Sequence, residues 1–254
     1  MPLNAKKVIA KRCAMELRKG MAVNLGIGVP EGVALAALEE GIADWMTMTI
    51  EAGAVGGIPA SGYGLGASAN VEALIGQPNL FDIYDGGGLD IAFLGLAQAD
   101  AQGNINVSKF QGRMVGCGGF VNISQNTKKV IFCGTFTAGA SRIAIGPDGI
   151  HILEDGPHRK FLEQVEQITF SGSYARKHRQ EVLYITERAV FRLAPEGLEL
   201  IEIAPLADLE TDILDKMAFR PLISKDLKQM DLRLFQDQPM GLAALLHSEE
   251  VAQW

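Results

Sequence analysis

Glu51 follows an apolar run and directly precedes Ala52 and Gly53. Small neighbours leave room for a substrate on the exposed side of a carboxylate. Glutamate can then serve as a covalent nucleophile or as a general base. The structural alternative is a glutamate that pairs with a lysine or caps a loop, and position alone does not separate the two. Three glycine-rich segments accompany it: Gly26-Ile27-Gly28-Val29-Pro30-Glu31-Gly32, Gly86-Gly87-Gly88 and Gly116-Cys117-Gly118-Gly119. The first resembles a dinucleotide fingerprint, but its third glycine falls one residue late, and Pro30 removes a backbone N–H beside the phosphate-binding turn. What remains is either a tight strand–helix turn or backbone N–H groups at a helix N-terminus that face an oxyanion or phosphate. The other two segments permit close backbone approach, and ordinary turns explain them equally well. Cys117 invites a nucleophile reading, yet none of His151, His158, His178 and His247 lies near it in sequence. The histidines show no metal-ligand spacing, so no metal is expected.

The elements that must position these residues alternate. Asn4 to Lys19 has helical spacing, with Val8, Ile9, Cys13 and Leu17 on one side and Lys6, Lys7, Lys11 and Arg12 mostly elsewhere. Gly20 suits the C′ position that stops this helix. Met21–Leu25 reads as a buried strand, a helix starts at Pro30 and ends at Gly41, and Trp45–Ile50 reads as a second strand. Helix, strand, helix, strand is the grammar of an α/β fold with an open, mainly parallel sheet and flanking helices. Glu51 sits at the end of the second strand, where open α/β sheets present their ligand crevice. The Gly/Pro-rich segment from Glu51 to Gly66 is expected to be a functional loop. Asp90–Leu96 and Lys129–Phe132 are further strands. A β-rich portion follows, with a hairpin at Ile143–Ile145 and Ile150–Leu153 and strands at Glu181–Thr186, Ala189–Leu193 and Leu198–Ile203. Asp208–Ala218 reads as a helix capped by Asp208 or Thr211. From Ser224 onward weak order is expected.

Composition narrows the classes. The 254 residues suffice for one large α/β domain, and no internal repeat or flexible linker divides them. A net charge of -7 argues against nonspecific nucleic-acid binding, although a few local cations would still hold an anionic ligand. Three cysteines, Cys13, Cys117 and Cys133, make no disulfide framework. With neither a signal-like apolar core nor an uncharged apolar stretch of about 18 residues, no membrane span is expected and the cytoplasm is the default location.

Several segments in order resemble the β half of the family I CoA-transferases, and most closely the single-chain acetate, propionate and short-chain acyl-CoA transferases. The resemblance runs from about Asn4 to Ser224. It is carried by Asn24-Leu25-Gly26-Ile27-Gly28-Val29-Pro30-Glu31-Gly32-Val33, Glu51-Ala52-Gly53-Ala54-Val55-Gly56-Gly57, Phe81-Asp82-Ile83-Tyr84-Asp85-Gly86-Gly87-Gly88, Gly103-Asn104-Ile105-Asn106-Val107-Ser108 and Ile185-Thr186-Glu187-Arg188-Ala189-Val190-Phe191. It implies a family domain over residues 1–224 and a C-terminal extension over 225–254. It also implies that Glu51 is the nucleophile. CoA would pass between a short-chain acyl-CoA and a free acid of acetate, propionate, butyrate or acetoacetate type, through a glutamyl-CoA thioester. Oxyanion and CoA-binding donors are expected around Gly26, Ile27, Gly28, Gly118 and Gly119, with Asn104 orienting substrate. Coenzyme A is then a substrate, and no resident cofactor is expected. Ala52 stands where many relatives carry Asn or Ser. The close single-chain relatives carry a homologous N-terminal half before the region matching Asn4, so an α subunit or N-terminal half from another chain is the expected partner, in a homo- or hetero-oligomer. Two other functions stay open: a sugar-phosphate isomerase-like enzyme on the same fold with Glu51 as general base, and a non-catalytic acyl-CoA-binding subunit.

Overall fold

The computed structural model describes residues 1–60, 62–64 and 66–246. Ten strands form its main sheet: β1 (Ala22–Leu25), β2 (Thr47–Ile50), β3 (Ala54–Val55), β4 (Ala73–Leu74), β5 (Ile91–Gly95), β6 (Lys129–Cys133), β7 (Glu181–Ile185), β8 (Ala189–Ala194), β9 (Gly197–Ile203) and β10 (Leu222–Gln229). They stand in the order β10-β9-β8-β7-β6-β5-β1-β2-β3-β4. The five central strands, β7 through β2, pair in parallel, with Val23 opposite both Met48 and Ile91. Antiparallel pairs extend both edges, and β10 adds in parallel.

The central strands are mostly apolar because helices cover both faces. Alternation still divides the side chains. Ile91, Phe93, Ile131, Cys133, Leu183 and Ile185 enter one core, packed with α1 (Ala5–Ala14) and α2 (Gly32–Glu39). Ala92, Leu94, Val130, Phe132, Val182 and Tyr184 enter the other, with α3 (Gln77–Asp85), α4 (Phe120–Gln125) and Ala175 of α5 (Gly172–Lys177). The result is an α/β/α sandwich whose sheet stands between two apolar layers, as the α/β reading expects.

Three expectations need correction. The first helix ends at Ala14, not near Lys19, and Gly20 turns the chain later at φ 82°. Its Lys7, Lys11 and Arg12 are buried as well, because the helix is covered on nearly every side. The region 208–218 is a π turn (Leu209–Ile213) followed by a 3₁₀ turn (Leu214–Lys216). Asp208 accepts from the Glu210 and Thr211 N–H groups at 3.0 and 2.8 Å. The segment after Ser224 is packed, not loose. β10 pairs with β9, and Met230, Leu234, Phe235, Met240, Leu242 and Leu246 join the core beside α1. Lys11 Nζ donates to the carbonyls of Arg233, Gln236 and Gln238 at 2.6–2.9 Å, and Glu40 accepts from the Met240 and Leu242 N–H groups. Order in this segment therefore comes from partners some 200 residues away. Residues 247–254 of the extension lie outside the described residues.

Candidate active site

β2 delivers Glu51. Thr49 and Ile50 are buried, and the chain then turns tightly: Gly53 N–H donates to Ile50 O at 2.8 Å, and Ala54 pairs back onto Ile50. Gly53 takes φ 121°, and a Cβ there would collide with Ile75 O, so this turn requires glycine. The expected long loop is thus partly ordered. It holds β3 and a short pair, Ile58–Pro59 with Ser68–Ala69, while Ser61 and Leu65 lie outside the described residues.

Glu51 is half-buried at the edge of a cavity of about 560 Å³. Among the described residues no cation and no hydrogen-bond donor pairs with it. Gly26, Ile27, Gly118 and Gly119 border the same cavity, so residues nearly a hundred positions apart in sequence meet there. Gly119 stands against the carboxylate itself: a Cβ at this position would overlap Glu51 Oε2 and press on the Phe81 ring at 2.9 Å. The N–H groups of Ile27, Gly118 and Gly119 make no hydrogen bond to any described residue. Backbone donors left uncommitted beside a carboxylate are the raw material of an oxyanion site. Ile50, Leu94, Val107, Phe120 and Ile123 make most of the remaining wall apolar.

A polar network sets the floor. Asn24, buried on β1, donates to Thr49 O at 3.3 Å and to the Tyr84 hydroxyl at 3.1 Å. Tyr84 donates to Thr49 Oγ1 at 2.8 Å, and Thr49 donates to Val23 O at 2.9 Å. Burial raises the Tyr84 pKa above its ordinary value, and the negative charge of Glu51 acts in the same direction. The phenol therefore stays a hydrogen-bond donor and holds β1, β2 and α3 in register under the cavity. This network was not read from the sequence. The available signal was an asparagine inside an apolar strand, which needs buried partners.

Two sequence assignments are corrected. Gly26 and Gly28 do not offer free donors: Gly26 N–H bonds Phe93 O at 2.8 Å and Gly28 N–H bonds Glu31 Oε1 at 3.0 Å. Gly28 is also not among the residues around the cavity. Glu31 additionally accepts from Gly62 N–H at 3.2 Å, so its role is to tie two loops together. Asn104 does not reach the cavity either. Its Nδ2 donates to Asp100 Oδ2 at 3.0 Å and its Oδ1 accepts from Gly172 N–H at 2.9 Å, which fixes the start of α5. Gly86–Gly88 end α3 in a turn, with Gly87 at φ 81°. Cys117 is exposed at the cavity rim. Among the described residues no group of three or more His, Cys, Asp or Glu side chains could hold a metal, and no helix is long and apolar enough to cross a membrane.

Comparison with known proteins gives this geometry its context. No family model matches the chain. It is 48% identical over 241 residues to acetate CoA-transferase YdiF of Escherichia coli O157:H7, covering 95% of this chain and 45% of that protein. It is 51% identical over 251 residues to caffeate CoA-transferase of Acetobacterium woodii, covering 97% and 48%. The crystal structure of the YdiF apoenzyme superposes with a TM-score of 0.90 over 95% of this chain and 46% of that one. YdiF has also been solved as a thioester complex with CoA, matching with a TM-score of 0.90 at 48% identity over 94% of this chain and 46% of that one. The chain thus spans about half the length of these relatives. A shorter relative, the acetate CoA-transferase subunit beta of Escherichia coli (strain K12), is 32% identical over 220 residues, 82% of this chain and 90% of that subunit. With a β subunit matched over 82% of this chain and 90% of that subunit, and its fold matched by YdiF, the chain belongs to the CoA-transferase family.

Proposed function

We propose that this chain carries the nucleophile of an acyl-CoA transferase and that Glu51 shuttles CoA between short-chain carboxylic acids. The observation that carries the reading is a carboxylate at a strand end with no partner among the described residues, beside the N–H groups of Ile27, Gly118 and Gly119, which none of those residues claims. The names of its relatives and the YdiF thioester complex with CoA support the same chemistry.

Glu51 attacks the thioester carbonyl of an acyl-CoA, forming a mixed anhydride and releasing CoA thiolate. The thiolate attacks the glutamyl carbonyl, forming the glutamyl thioester and releasing the first acid with one of the glutamate oxygens. An incoming carboxylate reverses both steps and restores Glu51. Each addition places negative charge on a carbonyl oxygen, and each uncommitted backbone donor aimed at that oxygen is worth about 3 kcal/mol. The apolar wall from Ile50 to Ile123 suits a small acyl group, while one methylene changes selectivity by only about 1–3 kcal/mol. CoA enters as substrate, and no resident cofactor takes part in these steps. The complementary half of the enzyme, supplied by another chain or segment, closes the open side of the cavity.

The test is intact-protein mass spectrometry after incubation with acetyl-CoA, with the complementary half present, on wild type and Glu51→Ala. Wild type should gain the mass of a CoA thioester that borohydride removes, and the variant should gain none. An adduct of equal yield on Glu51→Ala, or none on wild type, would overturn the assignment.

A further inference from the structure

A second cavity of about 660 Å³ opens near the carboxyl ends of β5 and β6, bordered by Leu96, Gln98, Phe110, Pro157, Arg159 and Lys160. It shares no residue with the cavity of Glu51. Lys160 is 9% exposed. Its Nζ donates to Leu96 O at 2.9 Å and lies 3.5 Å from Thr135 Oγ1. An ammonium has three N–H donors, so one is left without a partner among the described residues.

Other buried or partly buried lysines of this chain are completed differently. Lys7 pairs with Asp237 at 2.8 Å, and Lys129 pairs with Glu16 at 2.8 Å. Lys11 fills all three donors with carbonyl oxygens. Lys160 alone of these four has neither a carboxylate within ion-pair distance nor a full set of acceptors. Burial accordingly lowers its pKa to about 8, against the opposing pull of the more distant Glu187 and Cys133. Gly134 leaves the space the amine occupies: a Cβ there would lie 3.1 Å from Nζ and 2.9 Å from Leu96 O. The other charges at the cavity are arranged to favour an anion. Arg159 is exposed on its border, with one guanidinium N–H donating to Asp215 O at 3.0 Å. The one carboxylate there, Glu166, is already bound by the N–H groups of Gln111 and Gly112 at 2.7 and 2.6 Å. Ligands of open α/β sheets bind beyond the carboxyl ends of the strands, which is where this cavity lies.

We propose that this cavity is a second binding site, for a small organic anion whose carboxylate or phosphate pairs with Lys160 while its apolar part lies against Leu96, Phe110 and Pro157. An incoming oxyanion supplies the missing acceptor and the missing counter-charge together, the strongest kind of hydrogen bond available to a lysine. The site does not involve Glu51, so it stands whether or not this chain transfers CoA.

Calorimetric titration with hexanoate and with adenosine 3′,5′-bisphosphate, on wild type, Glu51→Ala, Lys160→Met and Lys160→Arg, tests it. At least one probe should bind wild type and Glu51→Ala alike. Lys160→Met should raise its Kd by about tenfold or more, and Lys160→Arg by less. Which probe binds identifies the source of the anion. Binding of neither probe, equal affinity in Lys160→Met, or loss of binding in Glu51→Ala would overturn the proposal. Should Lys160→Met fail to fold, wild type still answers. A saturating probe must slow acetic anhydride labelling of Lys160, read by peptide mass, and an unchanged labelling rate contradicts the site.

Discussion

Glu51 follows β2 and Glu187 follows β7, so both carboxylates stand at the carboxyl-terminal edge of the parallel core. Glu187 is fully buried, accepts from Phe136 N–H at 2.9 Å and pairs with Arg188 Nε at 2.8 Å. Arg188 in turn pairs with Asp155 at 2.7 Å and stacks over the Phe136 ring at 5.1 Å. Glu51 has none of this: it is half-buried, has no partner among the described residues and faces a cavity beside Gly119. A strand end therefore does not make a glutamate reactive. What separates the two is whether the neighbouring backbone and cations have already consumed the carboxylate.

Substituting each glutamate should break the comparison in opposite ways. Glu51→Ala should lower acyl exchange by the chain assembled with its complementary half by at least about 10³-fold, since a covalent route is lost, and chemical denaturation should show nearly unchanged stability. Glu187→Ala should instead cost about 3 kcal/mol of stability in urea unfolding, because it removes one of the two carboxylates that balance the buried Arg188 charge and leaves Phe136 N–H without its acceptor. Exchange per folded molecule should survive in that variant. Equal loss of activity in both variants would mean that the two sites are not functionally distinct.

Lys160 extends the comparison to a cation left incomplete in the way Glu51 is. It is protonated up to about 8 in the folded protein and up to its ordinary 10.5 when unfolded. Between those values the unfolded state binds more protons, so stability rises with pH across that window. Measured against Lys160→Met, wild type should gain about 3 kcal/mol from pH 8 to pH 10.5. A flat difference would mean that the amine is not penalised by burial. The smallest effect belongs to the glycines beside Glu51. Gly119→Ala pushes on Glu51 Oε2 and should cost about 10²-fold in exchange by misplacing the nucleophile. Gly118→Ala meets open space and should cost only the strain of φ 54°, about 1–2 kcal/mol of stability. Similar kinetics for these two variants would argue that contact with Glu51 is not what Gly119 protects.

The sequence makes the central strands legible because both of their faces are buried, and it makes Glu51 legible because it ends one of them before small residues. It does not reveal the partners. Nothing near Asn104 in sequence tells that Gly172 N–H would claim its side-chain oxygen, and nothing near Gly26 tells that its N–H would be spent on Phe93 O. The order of the C-terminal segment is hidden for the same reason, since Lys11 and Glu40 supply its contacts from the other end of the chain. Local pattern predicts elements, whereas long-range hydrogen bonds decide which polar groups stay available for chemistry.

The central claim is that the Glu51 carboxylate takes part covalently, and oxygen tracing tests it most directly. The assembled enzyme would turn over acetyl-CoA with propionate labelled by ¹⁸O in its carboxylate, and the peptide containing Glu51 would be weighed after digestion. The anhydride and thioester steps require Glu51 to acquire ¹⁸O from the acid, while the Glu187 peptide stays unlabelled. Sustained exchange with no ¹⁸O in the Glu51 peptide would show that the acid attacks acyl-CoA without the glutamate, and would contradict the account.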